Sequence, residues 1–130
     1  MKVFKSKDQN RDFYALMGEY FANLDIAKEL ERQVYNKPET TWLLDFQDGQ
    51  LAAFVSVHET PKHYFIDNFY VISMFRGAGI GDYLIGKIVE NFNDKLLKCI
   101  ACNPAAIHIF KDNGFVEDGH NGKYTKLVKH

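Results

Sequence analysis

Apolar side chains recur every three or four residues in two N-terminal segments, which is the spacing of helices with one buried face. The first stripe consists of Phe13, Leu16, Met17, Tyr20, Phe21 and Leu24, and the second of Ile26, Ala27, Leu30 and Val34. Asp25 is a candidate N-cap for the second helix, and Pro38 closes the region. Residues 1–5 alternate and predict a strand, so the chain is expected to begin as strand, helix, helix.

Strict alternation then predicts strands. Residues 41–47 place Trp42, Leu44 and Phe46 on one face, and residues 51–57 alternate again after Asp48-Gly49. That dipeptide favours a two-residue turn, so the two strands are expected to form an antiparallel hairpin. After a turn at residues 60–62, residues 63–72 predict a third strand of this group.

The C-terminal half predicts two strand-and-helix steps and a final strand pair. A helix with an apolar side begins at Ile80, and a strand follows at residues 96–102. Asn103-Pro104 suits the start of a short helix, which Asn113-Gly114 suits as its end. Two short strands, at 115–118 and 123–129, complete the order β-α-α-β-β-β-α-β-α-β-β. This order predicts a single domain, residues 1–130, of the α/β (α+β) class, with one mixed, mostly antiparallel sheet flanked by helices.

Composition excludes several classes of function. The net charge is −1 and the 16 Lys and Arg residues are scattered, so a nucleic-acid partner is not expected. No run of 18 apolar residues is present, so a membrane span is not expected. The first seven residues lack a hydrophobic signal region, and a cytoplasmic protein is therefore the expectation.

The two cysteines form a Cys99-Ile-Ala-Cys102 pattern. Such a pattern is found in redox pairs and in half of a zinc site, for which His108 is the nearest further ligand. Three residues apart on a strand, however, the two thiols point to opposite faces. We therefore expect two structural thiols and no metal.

A glycine-rich turn at residues 76–81 connects the predicted strand at 63–72 to the following helix. It reads Arg76-Gly77-Ala78-Gly79-Ile80-Gly81. Glycines let backbone N–H groups approach a ligand closely, and a helix N-terminus adds a positive dipole. The turn therefore predicts an anion site suited to phosphates.

Two other phosphate-binding patterns fit this turn poorly. The dinucleotide fingerprint needs a third glycine where the chain has Asp82 or Leu84. A near match to the Walker pattern at Gly81 to Lys87 lacks the hydroxyl, because residue 88 is Ile, and it lies inside a helix. A purely structural tight turn is the alternative that stays open.

The Arg-x-x-Gly-x-Gly pattern resembles the pyrophosphate-binding motif of the GNAT acetyltransferase superfamily. There it follows a strand segment that corresponds here to Phe69-Tyr70-Val71. Residues 103–115 resemble the C-terminal motif of the same superfamily at Asn103, Ala106, Gly114 and Phe115, but Phe110 stands where that family usually has Tyr. The resemblance covers residues 63–118 well and the rest in topology only.

This resemblance implies that the protein binds acetyl-CoA as a cosubstrate. The pantetheine arm would enter a gap between two strands and pair with main-chain groups along Phe69, Tyr70 and Val71. Arg76 and the N–H groups of the glycine turn, Gly77, Ala78, Gly79, Ile80 and Gly81, would hold the pyrophosphate. Asn103 would contact the pantetheine arm and Phe110 would pack on it, although a helix cap explains Asn103 equally well.

The resemblance also implies direct attack by the acceptor amine, with an N–H near Val71 stabilising the oxyanion. The family's tyrosine acid is Phe110 here, so the acid must come from elsewhere, and Tyr70, Tyr64 and Tyr124 are candidates by residue type. Asp67 is the first candidate for the base, because two residues before Phe69 it should share that residue's strand face. Glu59 and His58 are the second candidates.

The leading hypothesis is an N-acetyltransferase that moves an acetyl group from acetyl-CoA to a primary amine of a small molecule or peptide. The alternative is an acyl-CoA-binding module with lost or weak transferase activity. In that case the replacement of the family's tyrosine by Phe110 would reflect the loss of catalysis. A nucleotide-binding or purely structural domain is a third interpretation. A homodimer is compatible with the high Phe and Tyr content.

Overall fold

The computed structural model describes residues 1–8, 10–21, 23 and 36–130, and within them one seven-stranded sheet carries helices on both faces. The strands are β1 (Lys2–Lys5), β2 (Thr40–Gln47), β3 (Gln50–Glu59), β4 (His63–Val71), β5 (Leu96–Ala101), β6 (Val116–Asn121) and β7 (Tyr124–Lys129). The helices are α1 (Arg11–Phe21), α2 (Ile80–Asn91) and α3 (Pro104–Asp112), with 3₁₀ turns at Ser6–Asp8 and Ser73–Phe75. The predicted second helix, after Asp25, lies outside the described residues.

The strand order across the sheet is β1-β2-β3-β4-β5-β7-β6. Every neighbouring pair is antiparallel except β4 and β5, which α2 connects in a parallel crossover. This confirms the predicted mixed, mostly antiparallel sheet. The parallel ladder runs from His63 opposite Leu96 to Ile66 opposite Cys99, while β4 continues to Val71 and β5 to Ala101. The sheet therefore opens between β4 and β5 beyond Ile66.

Local sequence signals account for the turns that frame these elements. Asp48 and Gly49 both have positive φ, 51° and 79°, as a type I′ hairpin requires. Asn103 caps α3, because its side chain accepts a hydrogen bond from the Ala105 amide at 2.8 Å. Gly114, with φ of 91°, ends the same helix. These three predictions are confirmed.

The two faces of the sheet bury separate cores. On one face α1 packs Phe13 and Met17 against Trp42, Leu44 and Phe54. The opposite face is covered by α2 and α3, whose apolar sides bury Leu84, Ile85, Ile88 and Phe110 against the central strands. We call these the α1 face and the α2/α3 face. The site described below lies where the sheet opens between them.

A β-bulge in β4 changes which face its side chains occupy. Asn68 is the extra residue, with a positive φ of 51°, and the register of β3 and β4 shifts by one there. Ile66 and Phe69 consequently both belong to the α2/α3 core, although they are three residues apart. Asp67 lies opposite Ser56, which lies opposite the α1-face residue Trp42. Asp67 therefore lies on the α1 face.

The end of the sheet away from the opening is held by a polar cluster. The Tyr64 hydroxyl donates to Asp94 Oδ1 at 2.7 Å, and the Lys95 ammonium lies 5.2 Å from the centre of the Tyr64 ring. Lys95 also donates to Glu59 Oε2 at 2.9 Å. The hydrogen bond to Asp94, together with burial, raises the pKa of Tyr64 to about 12, and it lowers the pKa of Asp94. This cluster joins β4 to the segment that precedes β5.

A Tyr64→Phe variant tests the energetic role of this bond. The raised pKa of Tyr64 means that the hydrogen bond stabilises the fold fully below about pH 10, and that this stabilisation is lost as the pH rises towards 12. The lowered pKa of Asp94 means that the stabilisation is also lost as the pH falls below about 4. We expect the loss of Tm caused by Tyr64→Phe to be largest between these limits and to shrink on both sides. Thermal unfolding across pH measures this. The loss of Tm caused by Asp94→Ala should show the same decrease at high pH and at low pH. A loss that does not vary with pH would contradict the assignment.

Candidate active site

The glycine turn at residues 76–81 depends on backbone conformation at two of its positions. Gly77 and Gly79 have φ of 86° and 79°, in the left-handed region that favours glycine, and Gly79 is the N-cap of α2. Apart from chain neighbours, no heavy atom among the described residues comes within 4 Å of a Cβ built at either position. The space in front of the turn is therefore open.

Gly81 is required for a different reason, which is close packing. A Cβ at Gly81 would lie 2.9 Å from Ile109 Cδ1 and 3.1 Å from Phe69 Cζ. The absence of a side chain thus lets the first turn of α2 lie directly against β4 and α3. This contact fixes the direction of the helix N-terminus relative to the opening of the sheet.

The backbone amides of the turn point to an anion site. The preceding 3₁₀ turn uses the amides of Phe75 and Arg76, which donate to Ile72 O at 2.8 Å and Ser73 O at 3.3 Å. The first intrahelical bond of α2 is donated by Tyr83 to Gly79 O at 3.0 Å. The amides of the first helical residues before Tyr83 have no intrahelical acceptor, because no turn of helix precedes them. They lie at the positive end of the α2 dipole.

A cleft of about 760 Å³ extends from this turn along the open side of β4. It is lined by the side chains and backbone of β4, of the glycine turn and of α3: Phe69, Tyr70, Val71, Phe75, Arg76, Gly77, Gly79, Ile80, Gly81, Asp82, Asn103, Ala105, Ala106 and Ile109. The structure therefore brings together, in one cleft, nearly all the residues predicted to bind the cofactor.

Main-chain groups of β4 face this cleft. Ile72 N donates to Ala52 O at 2.8 Å, which makes residues 52 and 72 a hydrogen-bonded pair, and by alternation 54 and 70 as well. The N–H and C=O of Val71 therefore point away from β3, towards the opening. Arg76 Nε donates to Val71 O at 2.8 Å, and the guanidinium lies 5.3 Å from the centre of the Tyr70 ring. Arg76 thus lies at the mouth of the cleft.

A second cavity, of about 50 Å³, lies at the vertex where β4 and β5 separate. We call it the vertex cavity. It is lined by Ile66, Asp67, Asn68, Phe69, Ile100, Ala101, Cys102, Asn103, Ala106, Phe110 and Tyr124. Phe69, Asn103 and Ala106 line both spaces, so the cleft and the vertex cavity adjoin at these residues.

Buried polar groups surround the bulge beside the vertex cavity. Asp67 and Asn68 are each only 5% exposed. Asp67 Oδ1 accepts from the Asn68 amide at 2.7 Å, and Asn68 Nδ2 donates to Ser56 Oγ at 2.9 Å. The Ser56 hydroxyl in turn donates to the Asp67 carbonyl at 3.0 Å. This network holds the bulge, and with it the Asp67 carboxylate, in one position.

The prediction that Asp67 shares a face with Phe69 is wrong, because the bulge inserts Asn68 between them. Asp67 lies on the α1 face, opposite Ser56, whereas Phe69 belongs to the α2/α3 core. Asp67 nevertheless lines the vertex cavity. Asp67 therefore lies beside the opening of the sheet, but it faces the vertex cavity from the α1 face.

The remaining predicted residues are placed as follows. Phe110 is 3% exposed and packs edge-on against Phe69 and Phe115, with ring centres 5.7 and 5.2 Å apart. Tyr70 packs on Phe54 on the α1 face, with ring centres 5.7 Å apart. Glu59 pairs with Lys95 and lies opposite Tyr64, about 17 Å along β4 from Phe69. The structure does not bring Glu59 to the cleft.

Sequence reasoning missed the roles of Ser56 and Asn68 and left Tyr124 as one tyrosine among three. Asn is one of the few residues that tolerate a positive φ, but nothing local marks it as the site of a bulge. Cys102 was expected only to be structural. Neither Cys102 nor Cys99 is in a disulfide, and Cys102 lines the vertex cavity.

Comparison with known proteins agrees with this geometry. The acetyltransferase (GNAT) family matches residues 7–115, most of the chain. The chain therefore belongs to the GNAT acetyltransferase family. No curated protein sequence matches it.

Several solved structures share the fold over nearly the whole chain. ElaA of Escherichia coli is 14% identical with a TM-score of 0.76, covering 99% of this chain and 97% of that one. An acyl-CoA N-acyltransferase from Pseudomonas aeruginosa is 17% identical with the same TM-score and coverage. The N-acetyltransferase PseH of Campylobacter jejuni, in complex with acetyl coenzyme A, is 17% identical with a TM-score of 0.64, covering 98% and 96%. Within the described part of this chain, no helix is long and apolar enough to cross a membrane.

A Gly79→Glu variant tests the anion site at the glycine turn. The substitution adds a carboxylate in the open space where an anion would lie, and we expect it to abolish the increase in Tm that CoA gives the wild type. Gly49→Glu is the matched control, since Gly49 also has φ of 79° and open space around its Cβ but lies in the β2–β3 turn. Both variants should lose about 1–2 kcal/mol to backbone strain. Retained CoA stabilisation in Gly79→Glu would contradict the site.

Proposed function

We propose that this protein is an N-acetyltransferase that moves an acetyl group from acetyl-CoA to a primary amine of a small molecule or peptide. The observation that carries the proposal is that the cleft beside the glycine turn and the vertex cavity adjoin, with Phe69, Asn103 and Ala106 lining both. The cleft presents helix N-terminal amides, and the vertex cavity presents a buried carboxylate. An acetyl-CoA-bound N-acetyltransferase of the same fold supports it.

In this proposal the diphosphate lies against the amides of residues 77–81, beside Arg76. The pantetheine arm then runs along β4, where the Val71 N–H faces the opening and can donate to an extended, amide-bearing ligand as it would to a strand, while the Val71 carbonyl accepts from Arg76 Nε. Asn103 and Phe110 form the opposite wall, since both line the vertex cavity. The thioester would then reach the vertex cavity.

Transfer needs an unprotonated amine, a stabilised oxyanion and a protonated leaving thiol. Asp67 is placed to accept a proton from the amine, because it lines the cavity from the α1 face and is held by the Asn68 amide. Because the Val71 N–H pairs with the pantetheine arm in this proposal, the oxyanion would be stabilised by a different N–H, from the part of β4 that lines the vertex cavity. The amine attacks the thioester carbon, the C–N bond forms, and the C–S bond breaks with its electrons leaving on sulfur.

The second candidate function is an acyl-CoA-binding module with lost or weak activity. One observation favours it: the Phe110 ring, at the position where the family resemblance implies a tyrosine, packs against Phe69 and Phe115 and offers no proton. Losing one acid typically costs a factor of about 10²–10⁴, which leaves catalysis measurable. Neither cysteine is in a disulfide, which agrees with a reducing, cytoplasmic location; that location stays a prediction.

The two functions are separated by one assay. The protein is incubated with acetyl-CoA and a panel of primary amines, including polyamines, amino acids and peptide N-termini, and free thiol and acetylated product are measured together. Product with any amine supports the transferase. CoA stabilisation without product with any amine supports the binding module, and the absence of stabilisation in excess CoA contradicts both.

An Asp67→Asn variant tests the base. The amide keeps an oxygen that can accept from the Asn68 N–H, so the fold and the binding of acetyl-CoA should be retained. We expect kcat to fall by about 10²–10⁴ at neutral pH. Asp118→Asn, at an exposed position of β6, is the matched control. Wild-type kcat in Asp67→Asn across the pH range would remove Asp67 from the mechanism.

A further inference from the structure

The wall of the vertex cavity lacks a proton donor on its α2/α3 side. That side includes the phenyl rings of Phe69 and Phe110, which pack against each other with ring centres 5.7 Å apart. Three lining residues carry a titratable proton: Asp67, Cys102 and Tyr124. Among the described residues, these three groups are the candidate proton donors for a thiolate that forms in this cavity, with water as the alternative.

The topology of the sheet explains why Tyr124 is present there. β7 is antiparallel to β5, with Ala101 opposite Thr125, so the next pair along the register is Cys102 with Tyr124. Leu127 belongs to the α2/α3 core, and strand alternation places Tyr124, three residues before it, on the α1 face. Tyr124 and Asp67 thus approach the vertex from the same face, on opposite sides of the opening.

The chemistry of the three groups differs. Asp67 accepts a hydrogen bond from the Asn68 amide at 2.7 Å, which suits a base. A thiol such as Cys102 is a weak hydrogen-bond donor, whereas a phenol is a good donor. The ammonium of Lys123 lies 5.7 Å from the centre of the Tyr124 ring. Among these groups the phenol is best suited to donate to a developing thiolate.

We propose that Tyr124 is the general acid of the transfer, supplied by β7 in place of the tyrosine that Phe110 replaces. This rests on the proposed function. As the C–S bond breaks, the Tyr124 O–H gives its proton to the CoA sulfur, and the resulting phenolate regains a proton from solvent. The proton that the amine loses passes to Asp67. Counted from the neutral amine, one acetyl group moves and no proton is released overall, because the proton that leaves through Asp67 balances the one that Tyr124 takes up from solvent.

The kinetic test compares Tyr124→Phe with the wild type, using the amine that the panel identifies. We expect kcat to fall by about 10²–10³ while the KM for acetyl-CoA changes less than threefold. An acetyl thioester of a more acidic CoA analogue thiol should restore most of the rate, because a better leaving group does not need the acid. Tyr14→Phe removes a hydroxyl from α1 and should keep the wild-type kcat. Cys102→Ala should lose much less than Tyr124→Phe.

A second measurement does not depend on turnover. The thiol of bound CoA is titrated by its ultraviolet thiolate absorbance, in the wild type and in Tyr124→Phe. A hydrogen bond to the thiolate favours the ionised form, so we expect the thiol to ionise at higher pH in the variant. The other charged groups that face this position, Asp67 and Lys123, are the same in both proteins.

The outcomes separate this proposal from the proposed function. Failure of CoA to stabilise the wild type contradicts the proposed function itself. Normal CoA binding with an unchanged thiol titration in Tyr124→Phe overturns the role of Tyr124 and leaves the transferase standing. A loss of kcat that the activated thioester does not restore shows a structural role and also overturns it. A larger loss in Cys102→Ala assigns the proton to that thiol instead.

Discussion

The separation of β4 from β5 after four paired residues is the constraint on which the site depends. A main-chain amide at the edge of a strand must find a partner, and in a continuous sheet the neighbouring strand supplies it. Here β4 continues to Val71 after the ladder has ended at Ile66, so its outward-facing groups line a cleft instead of a ladder. A ligand with amides of its own can complete that edge.

The bulge at Asn68 lies where β4 and β5 separate. An extra residue bends the strand and increases its twist, which turns the rest of β4 away from β5 while the pairing with β3 continues on the other edge. The positive φ of Asn68 is a cost, and the bonds that Ser56, Asp67 and Asn68 make with one another offset it. The same bonds fix the Asp67 carboxylate beside the opening, so strand geometry and placement of the candidate base have one origin.

The two ends of β4 differ in their contacts: the first is paired with β5, and the second is not. At its start, the Tyr64 hydroxyl ties the strand to Asp94, and Lys95 ties the same segment to Glu59 of β3 and to the Thr60 carbonyl. At its end, the chain passes through a 3₁₀ turn into two left-handed glycines and the N-terminus of α2. The sheet is thus closed and anchored at one end and open at the other, and the groups of the proposed reaction lie at the boundary between the two.

Local patterns in the sequence determined the order of elements, the β2–β3 hairpin, the caps of α3 and the glycine turn, because each depends on residues close together in the chain. Most of the residues that line the cleft are among those that the family resemblance implies for cofactor binding, but Phe75, Asp82, Ala105 and Ile109 are not. The face of Asp67 could not be predicted, because one inserted residue reverses strand alternation and only the pairing with β3 reveals it. Neither could the meeting of Tyr124 with Cys102, which lie 22 residues apart in sequence and become neighbours only through the register of β5 and β7. Tertiary structure decided both, because strand register is set by the packing of the whole sheet and not by the residues on either side.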